Sequence, residues 1–165
     1  FHGHVLRDYF GPLASSFATW LERTLARRTS LLFAVSDSCA DELAELGVAA
    51  RSRFDVVPPA VALPQLHERT AARTLLGIPP HQKRLVCIGR LVPIKRVDDF
   101  VATLAQLPGY HGDIVGDGPE AAALAARAEV VARGRITLRR TVDEVVRLLP
   151  AWDALVLPSV REGCP

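Results

Sequence analysis

The chain of 165 residues contains no methionine, only three cysteines and few aromatic side chains, and each shortage excludes something. Without an initiator, and opening Phe1-His2-Gly3-His4 with no leader-like apolar segment, it is expected to be an internal piece of a longer protein. The cysteines, Cys39, Cys87 and Cys164, are odd in number and far apart. A disulfide framework and a zinc cluster are therefore not expected, and reduced thiols in a cytosolic protein fit better. Cys87 lies in an apolar run, where a small buried hydrophobe is the expectation. No stretch approaches the ~20 consecutive apolar residues of a membrane-spanning helix. No run of five like charges occurs, and 20 basic against 18 acidic residues leave +2. The concentrated basic footprint of a nucleic-acid binder is missing. Glycine and proline, 11 and 12 residues, are too few for a low-complexity chain, and 49% hydrophobic residues are too many for a disordered one.

What remains is an alternation of short apolar runs with segments of helical period. A helix is expected over 15–28, with Phe17, Trp20, Leu21 and Leu25 at helical spacing and Arg23, Arg27 and Arg28 toward its C-terminal end, where cations suit the dipole. Leu31–Val35 reads as a strand, Ser36-Asp37-Ser38 as an N-cap, and the next helix runs to Leu46 before Gly47. Phe54–Val57 is a second strand. Residues 58–66, with three prolines and no charge, look like a stiff connector, followed by a short helix over 68–76. From Arg84 the alternation becomes regular: strands Leu85–Ile88, Asp113–Val115, Ile136–Leu138 and Ala154–Leu157. Between them stand a helix carrying Val97, Phe100, Val101 and Leu104, an Ala-rich helix opened by Pro119 with Leu124, Ala128 and Val131 inward, and a helix Val142–Leu149 behind the capping box Thr141-x-x-Glu144. Strands apolar on both faces argue an α/β fold with a parallel sheet covered by helices. Ligands of such sheets sit beyond the carboxyl ends of the strands.

Those ends carry the chemistry. The first of them bears Gly89-Arg90, and Lys95 five residues on: a glycine for close approach, a planar guanidinium fork and a compact ammonium, a set suited to an anionic ligand. The second bears Gly116-Asp117-Gly118-Pro119-Glu120-Ala121, formally the dinucleotide fingerprint, and Arg139-Arg140 after the next strand would suit the 2′-phosphate of NADP. The fourth leads to Glu162, Gly163 and Cys164 at an expected helix start, where free N–H groups bind anions and sugar hydroxyls. His2 and His4 lack the spacing and the neighbouring ligands of a metal pair.

Taken together, VCIGRLVPIKRVDDFV, IVGDGPE and ITLRRTVDEVVRLLPAWDALVLPSVREGCP resemble the donor-binding half of the retaining glycosyltransferases of family four, and the stretch from FHGHVLRDYF to FDVVPP resembles the end of their acceptor-side domain. The resemblance implies a GT-B architecture of two Rossmann-like domains with parallel sheets, both incomplete here. Residues 1–62 would end the N-terminal domain, 63–82 form a connector, and 83–165 begin the nucleotide-sugar-binding domain. It implies that Arg90 and Lys95 clamp the diphosphate of a UDP- or GDP-linked sugar and that Glu162 is the first glutamate of a Glu-x7-Glu motif at the donor sugar. Gly163 and Cys164 would offer N–H groups to sugar or phosphate. His2, with His4 as second choice, would lie near the scissile bond. Gly89, Gly116, Asp117 and Gly118 complete the nucleotide-binding set. No metal and no further cofactor are implied, because Arg and Lys take an ion's place.

The function implied is transfer of a sugar, with retention of configuration, to a hydroxyl of a glycan, lipid-linked or small-molecule acceptor. The place implied is the cytoplasm, or the inner face of a membrane. The helix over 15–28, aromatic on one side and basic at its end, could touch an anionic membrane, but an ordinary packed helix is the stronger expectation. The sequence departs from the family pattern at Arg140, usually glycine, and at Pro58-Pro59-Ala60 in the connector. Three alternatives stand beside this: an NADP-binding oxidoreductase, a sugar-nucleotide epimerase of the same fold, and a degenerate binding module. The 165 residues by themselves are expected to be inactive.

Overall fold

A computed structural model describes residues 1, 11–140, 142–160 and 162. His2, His4, Thr141, Gly163 and Cys164 lie outside the described residues. The chain divides into two units, Phe1–Ala62, with which Glu162 groups, and Leu63–Arg161.

The first unit holds helix α1 (Pro12–Arg28), strand β1 (Leu32–Ala34), helix α2 (Asp37–Glu45) and strand β2 (Phe54–Val56). The two strands pair in parallel, Leu32 opposite Phe54. The expected cap forms: the Ser36 hydroxyl accepts from the Cys39 N–H at 3.2 Å and supplies one of the partners the first turn lacks. Leu43, Ala40, Cys39 and Phe54 pack with Ala26 into one core. In α1, however, the buried residue is Ala26, while Leu13, Phe17, Trp20, Leu21 and Leu25 are exposed. The bulky stripe that helical spacing marks as a packing face is thus left exposed. No helix among the described residues is long and apolar enough to cross a membrane.

The second unit is a four-stranded parallel sheet in the order β5-β4-β3-β6, built from β3 (Arg84–Ile88), β4 (His111–Val115), β5 (Ile136–Arg139) and β6 (Ala154–Leu155). Helices α4 (Val97–Ala105) and α5 (Ala121–Val131) contribute Phe100, Val101, Leu104, Leu124 and Ala128 to the core on one face. Helix α3 (Arg69–Leu76) and the 3-10 segment Val145–Ala151 supply Ala72, Leu76, Leu148 and Ala151 to the core on the other. Alternation along β3 explains the division: Leu85 and Cys87 join the first core, Val86 and Ile88 the second. Each large side chain so buried contributes about 1.5–3 kcal/mol. Parallel strands covered on both faces are the α/β arrangement expected from the sequence.

The short helix expected over 68–76 forms as α3, packs into the second unit and ends at Gly77 in the left-handed conformation (φ 66°). Three local expectations differ. The segment expected as an α-helix over 142–149 is instead the 3-10 segment, with Pro150 inside it and Glu144 at φ 49°. A proline removes an N–H donor, which favours the shorter structure. Pro119 precedes α5 rather than opening it, because Glu120 is the N-cap. Val131 is exposed, because α5 buries only Leu124 and Ala128.

Candidate active site

In the second unit the connection out of β3 leads to β4 on one side, and the connection out of β5 crosses back to β6 on the other. The carboxyl ends of β3 and β6 therefore form the switch point at which open α/β sheets bind their ligands. The loop after β3 begins with Gly89 and Arg90 and closes in the 3-10 turn Pro93–Lys95. The chain after β6 is tied to this turn by a hydrogen bond from the Val160 N–H to the Ile94 carbonyl (3.0 Å).

Arg90 is exposed, and among the described residues its guanidinium makes no hydrogen bond or ion pair. Lys95 is half-buried. Its ammonium lies near the Cys87 thiol at the end of β3. Burial pushes that thiol up to about 11, against the opposing pull of the Lys95 charge. The thiol is therefore protonated at neutral pH, a buried hydrophobe as expected. The fold thus places Arg90 and Lys95 in one loop at the switch point. Glu162 is half-buried and groups with the first unit, and His2, Gly163 and Cys164 lie outside the described residues.

Gly116, Asp117 and Gly118 interlock with the Arg90 loop. Gly89 N–H donates to Val115, Leu91 N–H to the Asp117 carbonyl (2.9 Å), and Glu120 N–H to the Leu91 carbonyl (3.1 Å). A Cβ added at Gly116 would overlap the Gly89 carbonyl oxygen, and one at Gly118 the Leu91 carbonyl. The glycine spacing that matches a dinucleotide fingerprint is therefore taken up by protein backbone. The Asp117 carboxylate accepts from the Gly118 N–H (2.8 Å) and stands 3.9 Å from the exposed Arg140. Of the pair Arg139-Arg140 expected to suit a 2′-phosphate, Arg140 stays exposed and Arg139 turns inward. Its Nε donates to Asp113 (3.0 Å) and its Nη2 to the Leu76 carbonyl (2.8 Å).

Asp113 is the residue that sequence reasoning underrated by placing it at a strand start. The strand begins at His111, so Asp113 is central and fully buried. It stands opposite Val86 and Thr137. Arg84 and Arg139, two residues from those partners on the same face, are its diagonal neighbours. Arg84 donates to both carboxylate oxygens at 2.8 Å, and the Trp152 indole N–H donates at 2.6 Å. An aspartate inside a run buried on both faces demands such partners, and that was the available signal. Next to it, Asp153 accepts from the Arg84 N–H (2.6 Å) and from Arg69 (2.6 Å), anchoring α3 beneath the sheet. The network braces the strands whose ends carry the cations without reaching the loop itself.

Comparison with known proteins agrees with this geometry. Residues 82–165, just over half of the chain, match the model of the protein family described as Glycosyl transferases group 1. A D-inositol 3-phosphate glycosyltransferase of Mycobacterium sp. (strain KMS) is 33% identical over 135 residues, covering 75% of this chain and 30% of its own length. The chain spans about a third of the length of the curated relatives it matches. Among solved structures, Anabaena HepE, in complex with UDP and glucose, superposes with a TM-score of 0.81 at 19% identity, over 96% of this chain and 45% of its own. A sucrose-phosphate synthase from Thermosynechococcus elongatus superposes with a TM-score of 0.77, also at 19% identity, over all of this chain and 45% of its own. At such identities the likeness is one of fold, that of a Rossmann-like portion of a GT-B glycosyltransferase.

Proposed function

This chain belongs to the Glycosyl transferases group 1 family, and from that premise we propose that it is part of a family-four enzyme moving a sugar from a nucleoside diphosphate to an acceptor hydroxyl with retention. The carrying observation is the β3 loop, which follows the strand at the switch point of the sheet and carries both Arg90 and Lys95. Cleavage of the bond between anomeric carbon and phosphate leaves positive charge on the sugar and negative charge on the diphosphate. A guanidinium fork and an ammonium held on a rigid strand end stabilise that leaving group. Interlocking of the glycine turn with the Arg90 loop keeps both cations on fixed backbone, so little reorganisation accompanies charge development.

In this reading Glu162 lies at the donor sugar, and His2 near the scissile bond with His4 behind it. The N–H groups of Gly163 and Cys164 meet sugar hydroxyls or phosphate. The donor is UDP- or GDP-linked, and the acceptor is a glycan, a lipid-linked saccharide or a small polyol. The mycobacterial relatives act, by their names, on an inositol phosphate, and HepE was crystallised with UDP and glucose. Both fit a nucleotide-sugar donor. An NADP-dependent oxidoreductase is disfavoured, because neighbouring backbone fills the glycine turn that would have to admit the pyrophosphate.

The test is transfer from radiolabelled UDP- and GDP-sugars by the full-length protein. Lys95→Ala and Arg90→Ala should each lower turnover by about 10²–10³, the usual effect of losing one preorganised charge-stabilising donor. Tight NADPH binding, or a Lys95→Ala enzyme within threefold of the parent, would overturn the assignment.

A further inference from the structure

Arg96 is a non-glycine residue in the left-handed region, at φ 49° and ψ 40°. L side chains crowd their own backbone there. Among the described non-glycine residues Glu144 alone shares the positive φ. Arg96 occupies the joint between the turn bearing Lys95 and α4. On the turn side, Lys95 N–H donates to Val92 (3.0 Å) and Arg96 N–H to Pro93 (3.1 Å); on the helix side, the Arg96 carbonyl accepts from Asp99 N–H (3.0 Å). Beyond the joint α4 is fixed, since Val97, Phe100, Val101 and Leu104 are buried in the core. Before it, the turn is held through the Val160–Ile94 bond. With α4 fixed in the core, the backbone dihedrals of this one residue set how the turn bearing Lys95 is oriented relative to the helix.

An arginine needs help to remain in that conformation, and the first turn of α4 supplies it. Arg96 Nη2 lies 2.8 Å from Asp99 Oδ1, and its Nε lies 3.6 Å from Asp98 Oδ1. These pairs are about half exposed, and each shifts a local equilibrium by about fivefold at most. That is little for global stability and sufficient to bias one dihedral.

We propose that Arg96 is a positioning residue for Lys95: its left-handed backbone, held by Asp98 and Asp99, aims the Lys95 ammonium at the donor diphosphate. The inference rests on the assignment of Lys95 made above. The test measures UDP and GDP affinity of the full-length protein by calorimetry. Arg96→Gly, which adopts the conformation without assistance, should keep affinity within about twofold. Arg96→Val, β-branched and unsuited to positive φ, should lose about tenfold. An Asp98→Asn/Asp99→Asn double variant should fall between them.

The deciding readout is a double-mutant cycle. On a Lys95→Ala background Arg96→Val should cost nothing more; losses that multiply would show a merely structural role and overturn the proposal. Should Arg96→Val fail to fold, the Asp98→Asn/Asp99→Asn variant enters the same cycle. A Lys95→Ala protein that binds both nucleotides unchanged would overturn the diphosphate assignment and this inference with it. Weakened binding with independent losses would overturn this inference alone.

Discussion

Replacing Asp113 by asparagine keeps the volume of the side chain and removes its charge from a site with no solvent access. The carboxylate receives four hydrogen bonds, two from Arg84 and one each from Arg139 and Trp152, between 2.6 and 3.0 Å. An asparagine has one acceptor oxygen, and its NH2 group would face donors. Arg84, with 8% of its side chain exposed, has no route to water, whereas Arg139 at 22% regains some hydration. Breaking a buried charge pair by removing one partner costs about 3–5 kcal/mol. Four hydrogen bonds at about 1 kcal/mol net each give much the same figure. A loss of about 4 kcal/mol is therefore expected, against a total of about 5–15 kcal/mol for a domain. For a unit of about 100 residues that corresponds to a Tm lowered by about 15–30 °C. The assay is urea unfolding of the full-length protein on a Trp20→Phe background, so that Trp152, which donates to Asp113, reports for this chain. Asp143→Asn, at an exposed position, is the control and should stay within about 0.5 kcal/mol. A loss below about 1 kcal/mol for Asp113→Asn would refute the view that this network braces the sheet.

Two further outcomes follow from the structure. Gly116→Ala places a Cβ on the Gly89 carbonyl at φ 149°, so it should destabilise by about 1–3 kcal/mol and weaken UDP or GDP binding in calorimetry. Unchanged affinity would show that the interlocked loops do not set the cation geometry. Stability should also fall toward acid in two stages. Burial, with the Arg84 and Arg135 charges, holds His111 below its ordinary 6.5, so its contribution is full above about pH 6.5 and declines as the pH drops. For Asp153, burial acts to raise the carboxyl, but the Arg84 amide and the Arg69 and Arg73 guanidiniums outweigh it and hold it below 3.8. That contribution persists above about pH 3.8 and disappears as the group protonates. A urea midpoint that rises on acidification, or an acid limb unaltered by Asp153→Asn, contradicts these assignments.

Much of the architecture is legible in the sequence. The strands around Leu32, Phe54, Val86, Ile114 and Leu138, the Ser36 cap, and the stops at Gly47 and Gly77 are local features. Periodicity and capping act within a turn of chain, so a linear reading reveals them. That Arg90 and Lys95 share one short loop after a strand was legible for the same reason. The exposed side of α1 was not, since helical spacing identifies a stripe without saying what it meets. Nor was the 3-10 form of Val145–Ala151, where Pro150 outweighed the helical pattern.

Composition and spacing by themselves determined that this is a parallel α/β protein with cations after its first regular strand. Tertiary structure alone decided what the remaining polar residues do. Arg139 could have reached a nucleotide phosphate, and the Gly116–Gly118 turn could have cradled one. Strand register instead brings Asp113 within reach of Arg139 from 26 positions away, and close backbone approach fills the glycine turn with the neighbouring loop. Contacts across such separations depend on which strands lie side by side and in what alignment, and no local pattern in the chain records that.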